Sequence, residues 1–273
     1  GAKQYQLTVN GIKIETTIQK YDSTPTYKVT AVPIPPANPN SGVTAFISSF
    51  TFNNFANYAT VSPTEINLKN SDTINGPVWT PNLNQNGATI NGTINLTSVT
   101  GWPNPSDVSN FYLSQVNTTS PYTGGSLNVN QVTSNGLYVN NNGLRITESG
   151  TPLQGTIYVN NAPGSANKVT IPSSTIHLNG NTIFVTGDLK VMPSATIEGP
   201  GAIIALGFID YQPNLTNSSY IYLMSVNDIV NMQPGNGFTG SIAGQSEINL
   251  QPNGTVTWTS PPSNLNLPGF GSH

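Results

Sequence analysis

This chain of 273 residues has 8 lysines and arginines against 11 acidic residues, a net charge of −3, and no cysteine. These numbers exclude disulfides and thiolate chemistry, and they leave no basic stripe that could neutralise a row of phosphates. Only 7% of the residues are charged, against roughly 25% in an ordinary soluble domain, whereas 37 residues are asparagine. Amide and hydroxyl groups, instead of charges, must therefore keep the protein soluble. That is typical of an extracellular or surface protein, although the Asn-rich turns of a repetitive β fold give the same composition.

The beginning of the chain predicts a three-stranded antiparallel meander. Apolar and polar residues alternate in Tyr5–Val9 and again in Ile12–Ile18, and Asn10-Gly11 between them is a strong hairpin signal. The alternation resumes at Tyr27–Val32. The segment Pro33–Ser41 is rich in proline, which cannot donate to a ladder, and it predicts an extended connection near a domain boundary.

The rest of the chain repeats a short pattern, in which two apolar residues at i and i+2 are followed by a turn of Gly, Asn or Pro. Such a pair places both side chains on one face of a short strand, so the pattern predicts an all-β architecture. Clear examples are Ile66/Leu68, Ile94/Leu96, Leu127/Val129, Leu137/Val139, Ile157/Val159, Val169/Ile171, Ile183/Val185, Leu189/Val191, Ile221/Leu223 and Ile248/Leu250.

This spacing suits either a β-solenoid, similar to a parallel β-helix, or a β-sandwich. Between Ser174 and Leu206 the gaps are too short for crossovers, which favours the solenoid. We therefore predict an antiparallel sheet region in residues 1–62 and a β-solenoid domain in residues 63–273.

Several of these repeats resemble the ectodomains of minor pilins of the PilX and ComZ types. The matching phrases are Val185–Val191, Ile197–Ala205, Gly237–Gly244 and Glu247–Gly254, with Ile74–Val78 resembling the start of that family's solenoid. The resemblance implies that the N-terminal meander is a pilin-like sheet, whose packing partner is an apolar N-terminal helix that this sequence lacks. It also implies an extracellular location on a pilus and other pilin subunits as partners. DNA or surface glycans are further possible partners, and any membrane contact would be made only through the missing helix.

Parallel β-helices often carry polysaccharide-cleaving enzymes, so the carboxylates are candidate catalytic groups. A glycosidase needs two carboxyl groups about 5 to 9.5 Å apart. Asp188 and Glu198 are ten residues apart and could stack on neighbouring coils, with Asp210 and Asp228 following. Solvated turn residues are the favoured interpretation of these acids, and Arg145 is the sole arginine, whereas a lyase that stabilises an anionic sugar would be expected to have more cations. We expect no enzymatic activity.

The histidines and acids also lack the pattern of a metal or cofactor site. His177 is the one histidine besides His273, so a catalytic triad or a multi-histidine metal site lacks its parts. Because His177 alternates with Ile176 and Leu178, we expect it on the outer surface of the solenoid. No calcium-loop spacing occurs. We predict no cofactor and no required metal.

Three aromatic residues are candidates for ligand contact. Trp102 stands in the proline-rich segment Gly101–Asp107, and Tyr112 and Tyr122 follow it. Exposed aromatic rings stack on sugars and nucleobases, although each of these rings could instead cover the core.

The functional hypothesis from the sequence is a non-enzymatic minor pilin or pilus-associated subunit, whose rigid solenoid serves adhesion or DNA uptake in competence. Two alternatives remain open at this stage. One is a polysaccharide-active enzyme on a β-helix, and the other is a fibre segment from a virus or a cell surface.

Overall fold

A computed structural model describes residues 3–9, 12–21, 26–34, 43–48, 53–164, 166–214, 216–217, 219–262, 265 and 267. The chain divides into two compact units, Gly1–Phe50 and Thr51–His273. The sequence placed the end of the N-terminal region at residue 62. In the structure the units divide earlier, because residues 60 and 61 already pair within the solenoid.

The first unit is a four-stranded antiparallel sheet, in which the strands follow one another in chain order. Its strands are β1 (Lys3–Val9), β2 (Ile12–Tyr21), β3 (Thr26–Ile34) and β4 (Val43–Ser48). The meander of three strands is thus joined by a fourth. Contrary to expectation, Pro33 lies inside β3, opposite Ile14. Because β4 pairs with β3 only as far as Ala31, that end of β3 is an edge, where a proline is tolerated.

The second unit is a parallel β-solenoid, as the sequence predicted, and its described residues also form two short α-helices that the sequence did not predict. Its first elements are α1 (Asn53–Ala56), β5 (Thr60–Val61), β6 (Ile66–Asn67), β7 (Thr73–Asn75), β8 (Val78–Trp79), β9 (Leu83–Asn84), β10 (Thr89–Ile90), β11 (Ile94–Asn95) and α2 (Pro105–Leu113). Next come β12 (Ser126–Asn128), a 3₁₀ turn (Val129–Gln131), β13 (Leu137–Asn140), β14 (Arg145–Thr147), β15 (Ile157–Asn160), β16 (Val169–Ile171), β17 (Thr175–His177), β18 (Thr182–Val185) and β19 (Leu189–Val191). The last are β20 (Thr196–Glu198), β21 (Gly201–Ala205), β22 (Ile209–Tyr211), β23 (Ile221–Ser225), β24 (Ile229–Met232), β25 (Phe238–Gly244), β26 (Glu247–Leu250) and β27 (Thr255–Thr257).

Each coil has three sides, and the described strands of this unit pair in parallel with strands of the neighbouring coils. Side 1 stacks β13, β15, β18, β21, β23, β25, β5, β8 and β11. Side 2 stacks β12, β14, β16, β19, β22, β24, β26, β6 and β9. Side 3 contains β17 and β20, and further along it the start of β25 with β27, β7 and β10.

The apolar pairs fill the interior of the coils, except for Ile94 and Leu96 at the terminal strand β11, which are 43% and 58% exposed because no further described coil stacks on that strand. Ile157, Ile183 and Ile203 stand in register on side 1, and all three are fully buried. The pairs of sides 2 and 3 complete the same continuous core. Parallel pairing throughout the described part of this unit excludes the sandwich, whose sheets would be antiparallel.

The order of the coils does not follow the order of the chain. The three strands of the last coil, β25, β26 and β27, pair with β5, β6 and β7 from the start of the unit. The coils near the N-terminus of the unit therefore extend the solenoid beyond its C-terminal coil. We call this junction the seam. The chain then has to return along the outside, after β11, to begin β12 at the opposite end.

Helix α2 lies on this return segment. Asn104 accepts a hydrogen bond from the Ser106 backbone N–H as the N-cap, and Pro105 occupies the first turn, where its missing N–H costs nothing. Val108 and Tyr112, four residues apart, form the buried face. No helix among the described residues is long and apolar enough to cross a membrane.

Candidate ligand-binding surfaces

The outer surface of side 3 carries two rows of threonine and asparagine. The strands β27, β7 and β10 point Val256, Ile74 and Ile90 inward, so the residues on either side of each point outward. The first row is Thr255, Thr73 and Thr89, and the second is Thr257, Asn75 and Asn91, which follows Ile90. We call these six residues the threonine–asparagine face.

Backbone pairing sets the spacing of this face. Neighbouring strands of a sheet lie about 4.8 Å apart, and residues i and i+2 are about 6.6 Å apart along a strand. Asn91 Nδ2 donates to Asn75 Oδ1 at 2.9 Å, and Asn75 Nδ2 donates to Thr257 Oγ1 at 3.4 Å. The second row is thus held by its own hydrogen bonds, and none of the six residues is charged.

The outer surface of side 2 differs because it includes charges. Four asparagines stand in one column, namely Asn231, Asn249, Asn67 and Asn84. The column continues through Asp210 and Lys190, which form an ion pair at 2.9 Å, and then through Thr170 and Arg145.

Side 1 is covered by α1, α2 and the residues before α2, and it holds two of the three predicted ligand contacts. Tyr112 is fully buried, with its ring stacked on Phe184 at a centroid distance of 5.1 Å, and burial raises its pKa far above the usual range. It therefore has no surface to offer a ligand. Trp102 is half-buried. Its Nε1 donates to the Val226 carbonyl at 2.8 Å, and the centroid of its ring lies 5.0 Å from the centroid of the Phe55 ring.

The third predicted contact, Tyr122, lies near the end of the solenoid where β12 begins. Its backbone bridges to Val139, and its hydroxyl donates to the Ser126 carbonyl. It is half-buried against the core. The three aromatic residues therefore do not converge on one site, and contact through Trp102 or Tyr122 stays a prediction.

The carboxylates proposed for catalysis also lie apart. Glu198 is on side 3, in register with His177, whereas Asp188 directly precedes β19 on side 2. Ten residues cover half a coil here rather than a whole one, so the expected stacking of Asp188 on Glu198 is wrong. Asp188 accepts backbone hydrogen bonds from Gly164 and Phe208, both at 3.1 Å. No group of three or more potential metal ligands occurs among the described residues.

His177 lies on the outer surface of side 3, as its alternation predicted. Its Nδ1 is 2.6 Å from Oε1 of Glu148, and its backbone N–H donates to Oε2 of the same carboxylate at 2.6 Å. The Glu148 side chain is only 3% exposed. The contact between His177 and Glu148 joins two neighbouring coils, which is a structural role.

The threonine–asparagine face escaped notice in the sequence, although a signal was present. Thr73-Ile74-Asn75 and Thr89-Ile90-Asn91 are the same triplet, and Thr255-Val256-Thr257 is a close variant. The sequence did not predict that the three triplets form one surface, because the third triplet lies far along the chain from the other two.

No protein-family model and no curated protein matches this chain. Among solved structures, an ice-binding protein from the Antarctic ascomycete Antarctomyces psychrotrophicus is similar, with 14% identity, a TM-score of 0.32, and coverage of 77% of this chain and 98% of that one. A second is the ice-binding protein LeIBP from an Arctic yeast, with 14% identity, a TM-score of 0.29, and coverage of 78% and 96%.

These comparisons correct the functional hypothesis from the sequence. The similar solved structures are ice-binding proteins, whereas the sequence predicted a minor pilin serving adhesion or competence. Neither of these two structures is described as a polysaccharide-active enzyme or a fibre segment, the two alternatives from the sequence.

Proposed function

We propose that this protein binds ice through the threonine–asparagine face. The observation that carries the proposal is the register of Thr255, Thr73 and Thr89 beside Thr257, Asn75 and Asn91 on three stacked coils.

A rigid grid suits a partner that is itself a lattice. The rows repeat about every 4.8 Å across the strands and about every 6.6 Å along them, which is of the same order as the spacing of oxygen atoms in ice. Each threonine presents a methyl group and a hydroxyl, so it can both fit between surface water molecules and hydrogen-bond to them. The face therefore offers both kinds of contact at regular intervals.

The side chains of this face are ordered before binding. Threonine is β-branched and has few χ1 rotamers, and the hydrogen bonds from Asn91 to Asn75 and from Asn75 to Thr257 restrain the second row. Little side-chain entropy is therefore left to lose on contact with a surface.

The absence of charge on the six residues favours the same partner. A charged side chain holds its own hydration shell, which would have to be removed or rearranged against a neutral crystal of water. The outer surface of side 2, with Lys190, Asp210 and Arg145, lacks this property.

The test is a measurement of thermal hysteresis and of ice recrystallisation, with bovine serum albumin at equal mass as the control. We expect a gap between the melting and freezing points, and small ice grains that persist during annealing. Ice grains that grow as fast as in the albumin control, together with no thermal hysteresis, would contradict the proposal.

An extracellular location and the lack of enzymatic activity belong with this proposal, since ice forms outside cells and its binding needs no catalytic group. DNA binding stays a prediction with little electrostatic support. The unit Thr51–His273 contains 4 basic residues against 9 acidic ones.

A further inference from the structure

A second surface of the solenoid is a groove near the end formed by β11. It has a volume of about 540 Å³ and is lined by Asn57, Tyr58, Pro77, Trp79, Thr93 and Asn95. These residues come from the connection after α1, from β8 and its preceding turn, and from β11 with the residue before it. None of them belongs to the threonine–asparagine face.

Two aromatic rings form part of the groove. The Tyr58 and Trp79 rings are tilted against each other, with centroids 5.2 Å apart. Trp79 is 9% exposed and its Nε1 donates to Thr97 Oγ1 at 3.1 Å, whereas Tyr58 is half-buried. Trp79 is thus held in place and Tyr58, packed against it, keeps exposed ring surface.

The polar groups around these rings are available to a ligand. Among the residues that the structure describes, the Asn57 amide, the Tyr58 hydroxyl, the Thr93 hydroxyl and Nδ2 of Asn95 have no hydrogen-bond partner. Oδ1 of Asn95 accepts from Thr97 Oγ1 at 2.8 Å, which restrains the orientation of its amide. The groove therefore combines an aromatic surface with several free hydrogen-bonding groups.

We propose that this groove binds a neutral sugar unit of a glycan. A pyranose ring has an apolar face that packs on an aromatic ring, and hydroxyls around its edge that bond to amides and hydroxyls. No lining residue is charged, so the groove has nothing to pair with a phosphate or a carboxylate. This makes nucleotides and acidic sugars poor candidates.

The sugar site is independent of ice binding, because the two sites share no residue. Either proposal can fail without the other. A change at Tyr58 leaves Thr73 and Thr89 in place, and a change at Thr73 leaves the groove intact.

The experiment is a titration of the protein with cellotetraose, chitotetraose and mannotetraose, each up to about 10 mM, followed by tryptophan fluorescence and by calorimetry. We expect at least one of the three to bind. We also expect Asn57→Ala and Tyr58→Ala each to weaken that binding by about tenfold, and Tyr58→Phe to weaken it less, because the ring remains.

Matched controls are Asn130→Ala and Tyr138→Ala, which change an exposed asparagine and a half-buried tyrosine at the other end of the solenoid. Both should bind the sugar as tightly as the unchanged protein. Asn57→Ala keeps the test valid if Tyr58→Ala fails to fold, because Asn57 is exposed. The proposal is overturned if none of the three sugars binds, if the groove variants bind as well as the controls, or if adenosine binds in their place.

Discussion

The indole Nε1 of Trp258 donates a hydrogen bond of 2.9 Å to the carbonyl oxygen of Ala56, across a sequence separation of 202 residues. The same carbonyl accepts from Ser241 Oγ at 2.9 Å and from the Tyr220 hydroxyl at 3.3 Å. Three side chains from the C-terminal coils thus meet one backbone atom at the start of the unit. This cluster supports the seam, where the two ends of the unit are joined.

Trp258→Phe should lower the free energy of unfolding by about 0.5–1.5 kcal/mol, because it removes one of three donors while keeping an aromatic ring in place. Thermal unfolding followed by circular dichroism measures the effect. Tyr138→Phe at the far end of the solenoid is the control and should unfold at the temperature of the unchanged protein. If Trp258→Phe unfolds at the same temperature as the unchanged protein, the seam does not need this hydrogen bond.

Asp72 makes the seam sensitive to pH. Its Oδ2 accepts from the Lys69 N–H at 2.5 Å and its Oδ1 from the Gly254 N–H at 3.0 Å, so one carboxylate joins both ends of the unit. Burial raises the pKa of Asp72 above its ordinary value of 3.8, outweighing the two backbone hydrogen bonds and Lys69, which lower it. The folded protein therefore holds this proton more tightly than the unfolded chain does.

The sign of the pH effect follows from the raised pKa. The contribution of Asp72 to stability is fully present below pH 3.8 and is lost as the pH rises through the folded-state pKa. We expect the stability of the unchanged protein relative to Asp72→Asn to fall as the pH rises from below 3.8. Chemical denaturation of both proteins at several pH values measures this difference, in which the other carboxyl groups cancel. A relative stability that rises over the same range would contradict the prediction.

Gly240 marks the corner where β25 passes from side 3 to side 1. Its φ is +142°, and a Cβ there would lie 1.9 Å from the Ile221 carbonyl oxygen of the next coil. Gly240→Ala should cost about 3 kcal/mol or more, through backbone strain and forced separation of two paired strands. At Gly125 a Cβ would meet nothing within 4 Å, so Gly125→Ala should change stability by less than about 0.5 kcal/mol in the same denaturation experiment.

Thr73→Tyr tests the assignment of the ice-binding face. Thr73 stands between Thr255 and Thr89, so a large ring there would break the row at its centre. We expect the concentration that inhibits ice recrystallisation to rise by about tenfold or more. Thr170→Tyr, an outward threonine of side 2, is the matched control and should retain activity. The opposite pattern would move the ice-binding surface to side 2.

His177→Ala should destabilise the protein by about 1–2 kcal/mol, because the nearly buried Glu148 carboxylate loses its imidazole partner and keeps only the backbone N–H. Thr175→Ala, at an exposed position of the same strand, provides the control. Urea denaturation of the two variants compares them directly. Equal stability would mean that water replaces the imidazole at no cost.

Local patterns were sufficient to predict the strands. The pair Ile183/Val185 and its many counterparts have the period of two that an extended chain requires, so the inward rows follow from neighbouring residues alone. The N-terminal hairpin was equally readable from Asn10-Gly11. Helix α2 was missed, because its buried stripe is only Val108 and Tyr112 and the preceding prolines resemble a loop.

Short strands with apolar inner rows and amide-rich outer rows follow from the sequence alone, because side-chain alternation is a property of each strand. The position of Thr73 beside Thr255, and of Tyr112 over a side of the solenoid, is visible only in the folded unit. The backbone hydrogen bonds of a parallel ladder are the same for every residue type, so they do not select which strands pair. Which coil stacks on which is therefore settled by the packing of the whole unit.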